Sequence, residues 1–213
     1  MEKIEEYRET FKAAEKYCLS RICHRKIYEK IFAMAKAEDT VPCRVYERIN
    51  VPNVGKIICE YTFTDKCSIK GNMGLKIILK DEHENLILMP QSIYIGLSDN
   101  SICRRNESYA IVIYKHALDR FAERHHWDKG MSTLENHIIN TMRKISYKKD
   151  MITNEILCPF DGGVFLGETK GDYNIHLKTF VMDRQLYTNQ TCDSIKAKKF
   201  KKDMERETLS IFK

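Results

Sequence analysis

Apolar residues recur at alternating spacings of three and four along residues 3–37. Ile4, Tyr7, Phe11, Ala14 and Cys18 form one stripe; Ile27, Ile31, Met34 and Ala35 form a second, with Tyr28 and Phe32 beside it. This is the period of a helix with one buried face. It predicts one bent helix or two, with the break near Ser20. The stripe is short for a coiled coil, so packing on a sheet is expected. From residue 41 the pattern changes to short β-type runs at 43–49, 56–64, 75–80, 86–89 and 109–114. The polar stretch Asp81-Glu82-His83-Glu84-Asn85 makes residues 75–89 a hairpin, and residues 65–74 and 97–107 read as loops. Helical period returns over 115–127, where Ala117, Leu118, Phe121 and Ala122 share one side. A second helix is predicted over 132–144, with Ser132 as cap and Glu135 completing a capping box. Strands resume at 151–158, 163–168 and 174–182. Asp161-Gly162-Gly163 and Lys170-Gly171-Asp172 mark turns between them. The last stretch, from about Cys192, reads as a charged helix.

This order predicts an α+β protein: a helical N-terminal arm over residues 1–38 and a mainly antiparallel, curved sheet with helices packed against it. Residues 39–108 are the β-rich region, in the same domain as their neighbours or apart from them, and residues 109–213 form a further α+β region with a basic tail. No Pro/Gly/Ser-rich linker and no internal repeat divides the chain.

Composition narrows the class. The 213 residues are 43% hydrophobic and 31% charged, with nine glycines and four prolines. A core can be buried, and collagen-like or low-complexity chains are excluded. No apolar run approaches the roughly 20 residues of a membrane span, and the first residues, Met1-Glu2-Lys3-Ile4-Glu5-Glu6, lack the apolar segment of a signal peptide. A soluble, cytoplasmic protein with no membrane partner is therefore expected. The eight cysteines (Cys18, Cys23, Cys43, Cys59, Cys67, Cys103, Cys158 and Cys192) include no C-x-x-C pair. They are read as free thiols, several of them buried, with no structural zinc, no native disulfide, and no metal or cofactor.

The formal charge is +6, and its placement matters more than its size. From residue 196 onward seven basic residues face three acidic ones, a net +4. Lys196, Lys198, Lys199, Lys201 and Lys202 could contact phosphates without reading sequence; a solvated helix end accounts for them equally well.

Candidate chemistry centres on Lys115-His116-Ala117-Leu118-Asp119-Arg120-Phe121-Ala122-Glu123-Arg124. On a helix His116, Arg120 and Arg124 make one row, opposite an apolar arc. Arg120 and Arg124 are expected to be exposed and Ala117, Leu118, Phe121 and Ala122 buried. Arginine holds phosphate oxygens bidentately, and histidine moves a proton near neutral pH. Asp119 and Glu123 lie within reach of the arginines, so a salt-bridged surface is the competing reading. A second cluster lies on the strand 174–182. Alternation there puts Ile175, Leu177, Thr179 and Val181 on one face and Asn174, His176, Lys178 and Phe180 on the other. Such a polar face suits a cleft over a polyanion, or simply water. His125-His126 point to different sides of a helix end, where cationic histidine is favoured over metal binding.

The order strand, K-H-A-L-x-R-F-x-E-R helix, second helix and small antiparallel sheet resembles the barnase–EndoU–colicin–RelE-like group of nucleases, which includes toxin-type, phage-encoded and mobile-element-encoded domains. The likeness spans residues 109–190 and is carried by His116, Ala117, Arg120 and Arg124, with Lys178 and Thr179 on the later strand. The resemblance implies a metal-independent endoribonuclease. His116 and His176 would be its acid and base, and Arg120, Arg124, Lys178 and Thr179 its phosphate-binding residues. RNA would be the substrate, and an antitoxin-like protein a partner. The alternative is a non-catalytic binding or scaffold protein of phage or mobile-element origin.

Overall fold

A computed structural model describes residues 2–22, 25–37, 43–63, 72–96, 102–106, 110–142, 148–149, 155–170 and 174–182. Four helices and ten strands lie among them, and the class is α+β with mainly antiparallel pairing. Two compact units emerge, one running to Ile113 and the other holding Tyr114–Lys170 and the strand residues from Ile175. No described helix is long and apolar enough to cross a membrane.

The first unit opens with α1 (Glu2–Ile22) and α2 (Arg25–Ala37). The predicted stripe is the buried one: Phe11, Ala14, Cys18 and Ile22 on α1, Ile31 and Ala35 on α2. Met34 departs from it and is exposed. The strands β1 (Cys43–Val51), β2 (Gly55–Phe63), β3 (Asn72–Lys80) and β4 (Leu86–Gly96) form consecutive antiparallel pairs. Strand alternation explains the packed layer. Cys43, Val45, Cys59, Tyr61, Phe63, Met73, Leu75 and Ile77 occupy matched cross-strand positions and are all buried. The helices cover this face: the Phe32 ring meets Phe63 edge-on at 6.1 Å, and the Cys43 thiol donates to the Ala35 carbonyl at 3.1 Å. The β3–β4 hairpin closes as the polar run predicts. Asp81 accepts from the His83 and Asn85 backbone amides at 3.0 and 2.9 Å.

Two further strands share the outer edge of β4. β5 (Ile102–Asn106) pairs with its second half and β6 (Ala110–Ile113) with its first. The stretch 97–107 is thus not wholly loop. β5 escapes a reading of hydrophobic pattern because it is a short edge strand whose Ile102 and Cys103 are exposed.

The second unit contains α3 (Lys115–Arg124), α4 (Met131–Thr141), β7 (Lys148–Lys149), β8 (Glu155–Phe160), β9 (Gly163–Lys170) and, from Ile175 onward, β10 (Asn174–Met182). The order of its strands is β7-β8-β9-β10. The β8–β9 hairpin turns on Asp161 and Gly162, both at positive φ (38° and 74°), the conformation that Asp-Gly supplies to a two-residue turn. Its core is aromatic. Phe121 of α3 is fully buried, its ring 4.9 Å from Phe180, 5.5 Å from Phe160 and 6.1 Å from Phe165.

Two expectations change here. The cap of α4 is Gly130, at φ 79°, not Ser132; the helix starts earlier, at Met131, and Glu135 is buried. Phe180 is a core residue, not a member of the polar face of β10. Lys178 and Thr179 are successive non-core residues between buried Leu177 and Phe180. The face that alternation assigns to water is thus covered at Phe180, where the Phe121 ring packs 4.9 Å away.

Candidate functional site

Every described candidate residue lies in the second unit, on α3 or β10. The two elements are joined at Tyr114, the residue before α3. Its backbone amide donates to the Leu177 carbonyl at 3.0 Å. Its hydroxyl lies 3.3 Å from His176 Nδ1, with the rings tilted at 42°. The chain turns from extended backbone at Tyr114 (φ −66°, ψ 143°) straight into α3. His116 thus stands in the first turn, two residues from this junction, and its side chain is exposed.

Four cations near these elements, Lys115, Arg120, Lys170 and Lys178, are already engaged. Arg120 donates to Glu123 at 2.8 Å, and Lys115 lies 2.7 Å from Asp119. Lys178 meets Glu168 of β9 at 2.5 Å, and Lys170 lies 3.6 Å from the same carboxylate. The Lys178 hydrogen bond holds the Glu168 carboxyl below its usual range, with Lys170 acting in the same direction. Exposed pairs of this kind are worth only about 0–1 kcal/mol, so they neutralise the surface without locking it.

Arg124 departs from the expected exposed row. A helical residue advances about 100°, which puts Arg124 roughly 65° from the direction shared by Ala117, Leu118 and Phe121 and His116 roughly 145° from it. Arg124 is accordingly half-buried, and its Nη1 is shielded from solvent with no hydrogen-bond partner among the described residues. The same rotation leaves Ala122 half-exposed rather than buried, and carries His125 inward. The His125 ring stacks on Phe121 at 4.2 Å. His126 takes φ 49° beyond the helix end, and the Trp127 amide closes on the Ala122 carbonyl at 2.9 Å. The two histidines thus terminate and pack the helix. Thr179 is half-buried on β10 beside Lys178. Lys196, Lys198, Lys199, Lys201 and Lys202 lie outside the described residues.

Close backbone approach shapes the strand that carries His176. A Cβ on Gly167 would meet the His176 carbonyl group and lie 3.0 Å from the Leu177 Cα. A Cβ on Gly163 would meet the Phe180 ring and lie 2.5 Å from the Val181 carbonyl oxygen. Only glycine lets β9 lie this near β10.

Two contributors were not legible as site residues: Tyr114, which faces His176, and Glu168, which meets Lys178. Tyr114 ends a strand two residues before His116, and Glu168 sits on the strand neighbouring Lys178; those placements are the only sequence signals they carry. Among the described residues no three His, Cys, Asp or Glu side chains could hold a metal ion together. No protein-family model, curated protein or solved structure matches the chain.

Proposed function

We propose that the second unit is a metal-independent endoribonuclease of toxin or phage type, with His116 and His176 as its proton-transfer groups. The Tyr114–His176 contact carries this reading, because it ties the first turn of α3 to the strand bearing His176 and Lys178. The RNA 2′-hydroxyl attacks the adjacent phosphorus, one histidine taking its proton. The P–O5′ bond breaks, the second histidine protonates the departing oxygen, and a 2′,3′-cyclic phosphate remains. The Tyr114 hydroxyl faces His176 Nδ1 and leaves Nε2 for the proton transfer; as the general acid His176 is the imidazolium, its Nδ1–H donating to the Tyr114 oxygen. Arg120, Arg124, Lys178 and Thr179 hold the phosphate. The buried Arg124 Nη1 is a donor that a phosphate oxygen would satisfy. Opening the Arg120–Glu123 and Lys178–Glu168 pairs costs little, since each is partly exposed.

The same ion pairs favour a second reading, a non-catalytic protein that binds RNA or a protein partner through this surface. Labelled RNA incubated with the full chain in EDTA separates the two. Cleavage with cyclic-phosphate ends, reduced about 10²–10⁴-fold in His116→Ala and in His176→Ala, supports the enzyme. Binding without cleavage, with a log–log salt slope of roughly −2 to −3 for three or four phosphates, selects the binding protein. No binding at low salt removes RNA from both.

A further inference from the structure

In the first unit, α1 and β2 bring two thiols together in the core. Cys18 and Cys59 are 41 positions apart in sequence, both buried, and their sulfur atoms lie 3.4 Å apart. The other described cysteines have different surroundings: Cys43 bonds to a backbone carbonyl, Cys158 is buried, and Cys103 is exposed.

The pair belongs to a larger arrangement. Arg21, one turn beyond Cys18 on α1, grips both Glu47 carboxylate oxygens at 3.1 and 3.2 Å. Glu47 stands directly across from Cys59 in the β1–β2 ladder. It also accepts from the Tyr61 hydroxyl at 3.2 Å, and Lys30 lies 3.7 Å away. Tyr61 is two residues from Cys59, on the same face of β2. Two independent ties therefore fix α1 over this point of the sheet, one ionic and one sulfur to sulfur.

We propose that Cys18 and Cys59 are a redox modification site, oxidised by peroxide to a disulfide that staples α1 to β2. Peroxide converts the Cys18 thiol to a sulfenic acid and releases one water. The Cys59 sulfur then attacks the Cys18 sulfur, the S–S bond forms, and the sulfenic oxygen leaves as a second water with the Cys59 proton. Two thiols and one peroxide give one disulfide and two waters. A disulfide needs about 2.05 Å between sulfurs, so each sulfur moves by roughly 0.7 Å, within side-chain adjustment.

Burial decides when this happens. The hydrogen bond to Cys18 and then desolvation push the Cys59 thiol well above its ordinary range, so thiolate chemistry at rest is suppressed. Peroxide reaches the pair when α1 lifts. On re-docking the sulfenic acid is enclosed with its partner, which favours the disulfide over further oxidation.

The test uses the full chain treated with hydrogen peroxide in native buffer, then alkylated in denaturant and mapped by peptide mass. A Cys18–Cys59 linked peptide, reversed by dithiothreitol and absent when the chain is oxidised in urea, supports the proposal. A melting temperature raised by roughly 10 °C for a loop of this length, in wild type and not in Cys18→Ala or Cys59→Ala, accompanies it. Wild type alone gives the decisive map, so a poorly folding variant does not blur it. Full alkylation of Cys18 and Cys59 after Cys103 has oxidised overturns it. So does linkage of either residue to Cys23, Cys67 or Cys192 in place of this pair.

Discussion

Phe121→Ala tests the packing that holds α3 against the strands of its unit. Phe121 has no exposed surface, and its ring lies within 6.4 Å of six other rings, those of His125, His137, Trp127, Phe160, Phe165 and Phe180. Truncation removes the transfer free energy of the ring and leaves a void. Its walls belong to two helices and three strands, so collapse is limited, and the cost is about 3–5 kcal/mol. The aromatic pairs add to area burial, which places the value in the upper part of that range. Urea denaturation followed by tryptophan fluorescence is the assay. Trp127 is the single tryptophan, and it sits 6.4 Å from the Phe121 ring, so the signal reports this unit. With a slope of about 2 kcal/mol per molar urea, the midpoint should fall by roughly 2 M. A change equivalent to less than about 1 kcal/mol at unchanged slope would mean that Phe121 is not at the hub and that the register drawn for α3 is wrong.

Other outcomes follow from single contacts. Gly167→Ala should cost about 1–3 kcal/mol by urea denaturation, because the new methyl meets His176 backbone rather than a movable side-chain end; a loss below about 0.5 kcal/mol would show that β9 and β10 are not this close. The Glu84 carboxyl, bonded to Lys56 and Lys80, is held down at about 2. A depressed folded value means that its contribution is present above the ordinary carboxylate range and is lost as pH falls toward 2. Glu84→Gln should therefore cost less than about 1 kcal/mol at pH 7, given the exposed setting, and nothing near pH 2; an NMR titration midpoint at 4 or above refutes the assignment. Tyr114→Phe removes only the oxygen facing His176. It should shift the limb of the cleavage pH profile that belongs to His176 while leaving the affinity for RNA unchanged; an unmoved profile would make the contact structural.

The parts of the fold that were legible in sequence are those set by neighbours in the chain. The hairpin at Asp81–Asn85 and the turn at Asp161-Gly162 follow from local chemistry, and Ala117, Leu118 and Phe121 follow from helical period. The departures have geometric causes. A helix of 3.6 residues per turn rotates the third member of an i, i+4 row toward the core, so Arg124 and His125 are partly enclosed although the pattern treats Arg124 as surface. Alternation along β10 assigns one face to water, but the Phe121 ring of α3 packs on Phe180 and takes it into the core. Gly130 displaces Ser132 as the cap of α4 because a helix start depends on the backbone that enters it. Contacts between distant positions left no local trace: Cys18 with Cys59, Tyr114 with His176, and Lys178 with Glu168.

Charge alone cannot choose between an enzyme and a binding surface here, since Arg120, Lys115 and Lys178 each meet a carboxylate at a cost of opening below about 1 kcal/mol. Both readings use the same cations. The contact on which the enzyme reading rests carries no net charge. A tyrosine hydroxyl on an imidazole nitrogen contributes about 1 kcal/mol to stability, as an ordinary hydrogen bond does. Proton transfer demands more of the same bond, because it sets which nitrogen carries the proton and which way the ring faces. His116 lies two residues beyond that tyrosine in a helix whose register is fixed by Phe121. The chemistry proposed for the second unit thus stands on the Tyr114 junction and the aromatic core beneath it more than on the row of charges that first drew attention to α3.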